Sequence, residues 1–214
     1  MADPTNISHP LFARMWTLLV APGAEHAGAA EHRDELLAGL GGRVVEVGAG
    51  DGLNFRHYPA AVTEVVAVEP EPYLRRHAEQ AAAAAPVPVM VVAGVADLLP
   101  AEDGSFDAGV ASLVLCSVPD QAAALGELWR VIRPGGELRF YEHVVALGRG
   151  AAALQRGLDR SGIWPRLGAG CHLARDTAAA IEDAGFVIER CQRFPFGPGP
   201  LGIPHVLGRA CRPE

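Results

Sequence analysis

The sequence lacks the features that mark nucleic-acid-binding, membrane-spanning or secreted proteins. Its 18 Lys and Arg residues are outnumbered by 25 Asp and Glu residues, the formal net charge is −7, and the basic residues form no run. A basic footprint for a phosphate backbone is therefore missing. The apolar runs are far shorter than the ~20 residues that cross a bilayer, and residues 1–4 have no basic signal-peptide region. We expect a cytoplasmic protein with no nucleic-acid partner and no membrane span.

Cysteine is also scarce. The four cysteines stand at positions 116, 171, 191 and 211, and none forms a C-x-x-C pair or another spacing typical of metal ligands. This pattern favours free, mostly structural thiols and predicts no bound metal.

The remaining composition is that of an ordinary globular enzyme. The chain has 214 residues, of which 50% are hydrophobic and 20% are charged. This length and balance fit one α/β domain with a sizeable core.

The most informative segment is V-V-E-V-G-A-G-D-G at residues 44–52. It predicts a short buried strand that enters a glycine-rich turn. Gly48, Gly50 and Gly52 carry no Cβ, so the backbone can turn tightly and approach a ligand. Glu46 stands at the end of the apolar strand, where a carboxylate can bind ligand hydroxyls or a cationic amine.

A second acid follows the next apolar run. Glu69 lies 23 residues after Glu46, about where a Rossmann-type site holds ribose hydroxyls. The pair predicts a cofactor that contains a nucleoside. The spacing G-x-G-x-G, with an acid before it, differs from the G-x-G-x-x-G of a pyrophosphate site, which argues against a nicotinamide dehydrogenase. It resembles motif I of the class I S-adenosylmethionine-dependent methyltransferases.

Strand and helix patterns alternate along the chain, which indicates a doubly wound sheet. The expected strands are residues 43–47, 64–69, 87–93, 107–115, 136–145, 186–193 and 205–211. The expected helices are residues 11–21, 30–40, 53–58, 72–85, 121–131, 150–160 and 175–184. The Pro/Gly-rich residues 195–204 are expected to form a loop. The fold class is α/β: a Rossmann-like, seven-stranded, mainly parallel sheet with helices on both faces and the last strand antiparallel.

Longer stretches carry a family resemblance. Residues 46–52, 99–100, 104–107 and 128–136 resemble the domain shared by quinone and sterol methyltransferases. Residues 54–59, 113–118, 141–144, 170–175 and 204–206 are similar to the alkyl thiol methyltransferases and their bacterial relatives. The resemblance covers roughly residues 40–211. It implies a single domain at 1–214, with a helical cap at 1–40, a cofactor-binding core at 41–145, and acceptor-side helices and C-terminal strands at 146–214.

The resemblance implies S-adenosyl-L-methionine as the cofactor. The residues expected to hold it are Glu46, Gly48, Ala49, Gly50, Gly52, Asn54, Glu69, Pro70, Ala96, Asp97, Leu115 and Cys116. Asn54 could instead cap a helix, and Cys116 could be a small buried apolar residue. Residues 11–21 are expected to form an amphipathic helix over this site.

Two histidines are candidate catalytic bases. His143 is expected at the carboxyl edge of the sheet, where open α/β sheets bind ligands, and its side chain could accept a proton near neutral pH. His172 is expected in a loop over the acceptor pocket. The candidate acceptor-binding residues are Trp16, Trp164, Arg175 and Phe196. Arg175 could equally pair with an acid such as Asp176 or Glu182.

The function expected from these features is methyl transfer to a small molecule, with a thiol as the favoured acceptor. The alternatives are O-, N- or C-methylation of an aromatic, quinone-like or natural-product intermediate, or a cofactor-binding regulator without turnover. Arsenic methylation would need several convergent thiolates, which scattered cysteines make a poor prospect. A homodimer is possible.

Overall fold

The computed structural model describes residues 9–197 and 202–214, and they form one seven-stranded sheet with helices on both faces. The strands are β1 (Gly42–Val47), β2 (Val62–Val68), β3 (Val89–Val92), β4 (Phe106–Ser112), β5 (Ile132–His143), β6 (Val187–Phe196) and β7 (Ile203–Cys211). The α-helices are α1 (Pro10–Met15), α2 (Ala21–Ala24), α3 (Ala30–Leu37), α4 (Pro72–Ala82), α5 (Gln121–Val131), α6 (Arg149–Arg160), α7 (Ile163–Leu167) and α8 (Thr177–Asp183).

The strand order is β3-β2-β1-β4-β5-β7-β6. The pairs from β3 to β5 are parallel, whereas β7 runs antiparallel to both β5 and β6. The predicted fold class, including the antiparallel last strand, is confirmed. The carboxyl ends of β1, β2 and β4 therefore share one edge of the sheet.

Both faces of the central strands are buried, as their nearly continuous valine runs predict. Val45 and Val47 of β1 pack into a core with α5 and α8. Val44, which precedes Val45, packs into a second core with α3 and α4 on the opposite face. Alternate residues of a strand point to opposite faces, so a run of valines supplies both cores.

The helix boundaries follow local signals. Asp120 caps α5 by accepting a hydrogen bond from the Ala123 amide at 3.0 Å. Gly185, with φ of 100°, follows the end of α8, where a glycine without Cβ can take the left-handed conformation. The beginning of α5 and the end of α8 agree, to within one residue, with the helices predicted at residues 121–131 and 175–184.

The N-terminal helical segment is longer and less regular than predicted. α1, α2 and α3 are joined by π-helical turns at Trp16–Val20 and Glu25–Ala29, and the axis is interrupted at Gly28, where φ is 103°. Residues 53–58, predicted as a helix, contain only a 3₁₀ turn at Phe55–His57. None of the helices in the described part of the chain is both long and apolar enough to cross a membrane.

The predicted loop at residues 195–204 is partly wrong. β6 continues to Phe196, and β7 begins at Ile203, so the antiparallel pair Phe196↔Ile203 extends into the Pro/Gly-rich stretch. Pro195 is tolerated because β6 is an edge strand of the sheet, and Pro204 because it stands at the start of β7. The predicted loop residues 198–201 lie outside the described residues. β5 also begins earlier than the predicted residue 136, because it starts at Ile132 directly after α5.

Candidate active site

The turn after β1 exposes its backbone at the carboxyl edge of the sheet. Gly48, Gly50 and Gly52 have φ angles of 64°, 59° and 82°, a region that residues with a Cβ rarely adopt. A Cβ on Gly48 would overlap Val114, and one on Gly52 would lie 2.8 Å from the Phe55 ring. At Gly50 no atom lies within 4 Å of that position. The backbone at Gly50 therefore faces open space, where a ligand can approach it.

Glu46 is a buried carboxylate at the base of this turn, with 2% of its surface exposed. It accepts hydrogen bonds from the Asn54 amide at 2.7 Å and the Tyr58 hydroxyl at 2.8 Å. Burial raises the pKa of Glu46 to about 7, although both hydrogen bonds act in the opposite direction. Asn54 thus holds Glu46 and does not cap the following 3₁₀ turn with its side chain.

Arg33 extends this network from α3. Its Nη1 donates to Asn54 Oδ1 at 2.8 Å, and its Nε pairs with Glu25 at 3.0 Å. The side chain is almost fully buried, yet it borders the same open space as Glu46. A cation and an anion are therefore held side by side within reach of a ligand.

Glu69 lies directly after β2 and is 5% exposed. One carboxylate oxygen accepts the Gly50 N–H and the other accepts the Glu71 N–H, both at 2.8 Å. Burial raises the pKa of Glu69 to about 7 against the opposing effect of these two bonds. Each carboxylate oxygen can accept a second hydrogen bond, so the pair remains available to ligand hydroxyls.

These groups line a cavity of about 540 Å³, a size typical of small-molecule and cofactor sites. The N-terminal helical segment covers it from one side, where Phe12 and Trp16 form part of the wall. Trp16 Nε1 donates to Asp51 Oδ1 at 3.2 Å, which ties this segment to the glycine turn. The other walls come from the segments after β2, β3 and β4 and from a loop at residues 168–169.

Comparison with known proteins identifies the family. A methyltransferase-domain model matches residues 45–140. The thiol S-methyltransferase TMT1B of Mus musculus is 38% identical over 183 residues, which cover 82% of this chain and 74% of that protein. The thiol S-methyltransferase TMT1A of Homo sapiens is 35% identical and covers 82% and 73% of the two chains. This chain belongs to the same family of S-adenosylmethionine-dependent methyltransferases.

Solved structures agree at the level of the fold. A putative methyltransferase of Bacillus halodurans superposes on this chain with a TM-score of 0.71 at 15% identity. The superposition covers 86% of this chain and 99% of the other. The [4+2]-cyclase SpnF gives a TM-score of 0.70 at 20% identity and covers 86% and 80%. Because a cyclase shares the architecture, the fold alone does not define the reaction.

S-adenosylmethionine is the methyl donor, and the cavity of the methyltransferase suits it. The open backbone at Gly50 and the buried carboxylates Glu46 and Glu69 converge on one space. An adenosine group carries hydroxyls that a buried carboxylate can bind, and a methionine group carries an amine and a carboxylate. The site supplies a hydrogen-bond acceptor or an opposite charge for each of these groups.

Most of the predicted cofactor residues line the cavity. This set comprises Glu46, Gly48, Ala49, Gly50, Asn54, Glu69, Pro70, Ala96 and Asp97. Of the predicted acceptor-binding residues, Trp16 lines it.

The other predicted site residues lie outside this cavity. They are Gly52, Leu115, Cys116, His143, Trp164, His172, Arg175 and Phe196. Gly52 packs against Phe55 and Ala81, and Leu115 is fully buried. Phe196 stacks edge-on against His32 and His205.

Arg175 holds the loop after β4. Its guanidinium donates to the carbonyl oxygens of Leu115 at 2.6 Å and Val118 at 2.7 Å. Neither predicted acidic partner, Asp176 or Glu182, is among its salt bridges in the described residues.

His172 supports the same loop from its backbone. Its N–H donates to Cys116 O at 2.8 Å, and its Nδ1 lies 2.7 Å from Gly170 O. His143 Nδ1 lies 3.3 Å from Cys171 Sγ, which is 3.8 Å from Cys116 Sγ. The hydrogen bond between Cys171 and Cys116 lowers the pKa of Cys171 to about 4, and His143 acts in the same direction. The role of either histidine as a base stays a prediction.

Sequence reasoning missed three groups at this site. Arg33 lies on α3, and no local pattern in the sequence indicates that this helix contacts the segment after the glycine turn. Asp51 lies within motif I and holds Trp16. Glu142 accepts backbone hydrogen bonds from Val114 and Leu115, each at 2.9 Å, and from Cys116 at 3.2 Å. An acid in the apolar strand β5 was the available signal for Glu142, because a buried charge requires partners.

Proposed function

We propose that this methyltransferase methylates the sulfur of a small thiol. The observation that carries the proposal is the extent of the similarity to proteins named thiol S-methyltransferases. It spans 82% of the chain, whereas the general methyltransferase-domain model ends at residue 140. The match therefore includes the acceptor-side elements after β5, where substrate preference is expected to reside.

The groups that line the cavity support the assignment of cofactor-binding roles. S-adenosylmethionine brings an activated methyl group on a positively charged sulfur, so the protein has mainly to position it. Glu69 would accept the ribose hydroxyls, Glu46 would face the amine, and Arg33 would face the carboxylate. Ala96 and Asp97 would flank the adenine from the segment after β3.

The acceptor end would be formed by the loop after β4 and residues 168–169. Leu113, Val118 and Pro119 give this part of the cavity wall an apolar character, which suits an alkyl or aryl thiol. A free thiol has a pKa of about 8.5, so a few per cent is already thiolate at neutral pH. Such an acceptor needs to be aligned with the methyl group and shielded from water more than it needs a strong base.

Methylation of oxygen, nitrogen or carbon is the alternative. A ubiquinone/menaquinone biosynthesis C-methyltransferase of Methylobacterium nodulans is 36% identical, but the match covers only 55% of this chain. The shorter overlap gives this alternative less support on the acceptor side.

The test is to measure release of S-adenosylhomocysteine and to identify the methylated product by mass spectrometry. Small thiols would be compared with the corresponding alcohols, phenols and amines. Turnover with thiols, abolished in Glu69→Ala and retained in Glu79→Ala, is the expected result. Glu79 is a matched control because it is an exposed glutamate on α4 outside the cavity. Turnover confined to phenols or amines would refute the thiol acceptor and leave the methyltransferase activity intact.

A cytoplasmic location, a homodimer and the lack of a nucleic-acid partner stay predictions. The four cysteines are free, as is usual in a reducing compartment, which supports the first of these. The division into a cap at 1–40, a core at 41–145 and an acceptor side at 146–214 is likewise a proposal, supported by the cavity walls that each part supplies.

A further inference from the structure

Three soft and borderline donor atoms converge behind the wall of the cavity. They belong to Cys116 in the loop after β4, His143 at the end of β5, and Cys171 in the loop before α8. The two sulfur atoms are 3.8 Å apart, and His143 Nδ1 is 3.3 Å from Cys171 Sγ. All three donor atoms lie within 4.8 Å of one another.

Two of these three separations match the edges of a tetrahedral zinc site. With Zn–S of about 2.3 Å and Zn–N of about 2.0–2.1 Å, a tetrahedron places two sulfurs about 3.8 Å apart and nitrogen about 3.5 Å from sulfur. The observed 3.8 and 3.3 Å are close to both values. The third separation, between His143 and Cys116, is at most 4.8 Å, so a side-chain movement of about 1 Å would bring all three donors to a tetrahedral ion.

The surrounding groups hold the donors in place. The Cys116 N–H donates to Glu142 at 3.2 Å, and its carbonyl oxygen accepts the His172 N–H at 2.8 Å. Arg175 fixes the carbonyl oxygens on either side of this cysteine in the same loop. Outer contacts of this kind orient ligands in metal sites.

One buried polar group lies next to the cluster. Trp164 Nε1 is buried and makes no hydrogen bond among the described residues. A Cβ placed on Gly168 would lie 3.2 Å from Cys171 Cβ and 3.6 Å from this indole nitrogen, so the two side chains are neighbours. The indole N–H is close enough to Cys171 to lower the pKa of that thiol, so it acts on one of the three donors.

We propose that Cys116, His143 and Cys171 bind one Zn²⁺ ion, with a fourth position open to an exogenous ligand. Two thiolates and an imidazole are a common zinc donor set and select against Mg²⁺ and Ca²⁺, which prefer oxygen. The site adjoins the cavity wall, because Ser117 follows Cys116 and Gly168 precedes Cys171 by three residues. As a ligand, His143 would not be free to act as a base. The proposal does not depend on the acceptor being a thiol.

The first experiment measures zinc in the reduced full-length protein after equilibrium dialysis against Zn²⁺ alone. We expect about one equivalent per chain, and a loss of affinity of more than about tenfold in Cys171→Ser and His143→Ala. Cys191→Ser is the matched control, since Cys191 is exposed and outside the cluster, and it should bind as the unmodified protein does. Equal zinc binding by all variants, or none in the unmodified protein, would overturn the proposal.

A second measurement avoids variants that fail to fold. Co²⁺ added to the unmodified apo protein should give the intense visible bands of a tetrahedral ion and a thiolate-to-cobalt charge-transfer band whose strength corresponds to two thiolates. Zn²⁺ should displace these bands at one equivalent. Weak octahedral bands, without charge transfer, would show that the cysteines bind no ion. Binding is read directly in both experiments, so failure of the thiol acceptor would not affect the outcome.

Discussion

At the scale of single residues, the two buried glutamates that we propose to bind the cofactor carry an energetic cost in the free protein. Glu46 and Glu69 both lose hydration at the carboxyl edge of the sheet, and burial raises the pKa of each to about 7. A carboxylate that binds an amine or hydroxyls must be available in its charged form. In the protein without ligand these carboxylates are therefore hard to ionise, and a bound amine or hydroxyl group would stabilise their charged form.

The sign of the pH effect at Glu46 follows from its raised pKa. Between the ordinary value of 4.5 and the folded value of about 7, the folded protein binds the proton and the unfolded chain does not. Stability from this group is thus present at low pH and is lost as pH rises through about 7. The Glu46→Gln variant lacks this titrating group. We expect the difference in unfolding free energy, variant minus unmodified protein, to rise by up to about 3 kcal/mol between pH 5 and pH 8.

Chemical denaturation of both proteins without cofactor, at several pH values, measures this difference. Using the difference cancels the other groups that titrate over the same range. Burial raises the pKa of Tyr58, the hydroxyl partner of Glu46, well above its ordinary value, so Tyr58 does not interfere. A difference that stays constant with pH would show that Glu46 does not titrate in this window.

At the scale of secondary-structure elements, the side chain of one strand shapes the loop that follows its neighbour. Glu142 lies on β5 and is fully buried, and its carboxylate accepts three successive N–H groups of the loop after β4. Leu113 in the same loop has a φ of 56°, which a residue with a Cβ adopts only when its surroundings impose it. The position of Ser117 and Val118 in the cavity wall therefore depends on β5.

Glu142→Ala should destabilise the protein by about 2–4 kcal/mol, because it leaves buried N–H groups without an acceptor. We also expect the KM for the acceptor to rise more than that for the cofactor, since the affected loop lines the acceptor end. Denaturant unfolding and steady-state kinetics measure the two effects. Glu189→Ala is the control: it removes a glutamate from β6 that is exposed and paired with Arg209, and should cost less than about 1 kcal/mol. Equal costs for the two substitutions would contradict the assigned role.

At the scale of the whole molecule, the cavity is closed by a segment that is not part of the sheet. The N-terminal helical segment reaches the glycine turn through Trp16 and Asp51, and its Arg33 reaches Asn54. These contacts join residues 35 and 21 positions apart. Cofactor binding should therefore be coupled to the packing of this segment on the core.

Trp16→Phe keeps a ring in the wall and removes the N–H donor. Loss of this intramolecular bond should lower the free energy of unfolding by about 0.5–1.5 kcal/mol, and because the segment is then held less firmly over the cavity, we expect the Kd for S-adenosylhomocysteine to rise by about 2–10-fold. Isothermal titration calorimetry measures it. Leu18→Ala alters a largely exposed residue of the same π-helical turn and should leave the Kd unchanged. An unaltered Kd in Trp16→Phe would show that the segment does not contribute to binding through this bond.

Some features of this protein were determined by the sequence itself, because their causes are local. Valine runs predict strands buried on both faces, and glycines at 48, 50 and 52 predict a turn that needs positive φ. Asp120 and Gly185 mark helix ends by hydrogen bonding and by the missing Cβ. With these signals the seven-stranded fold, the family and the acids Glu46 and Glu69 could all be read from the chain.

The tertiary structure alone decided which distant side chains meet. Glu142 and Arg175 were not recognised as supports of one loop, because their partners lie 26 to 28 and 57 to 60 residues away. Cys116 and Cys171 are 55 residues apart in the chain but 3.8 Å apart in space. Spacing rules for metal ligands apply to neighbours on one loop or helix, whereas these donors arrive on separate elements that the parallel sheet brings to a common edge. Local preferences in the sequence thus determined the strands, helices and turns, whereas tertiary packing determined which distant side chains lie in contact.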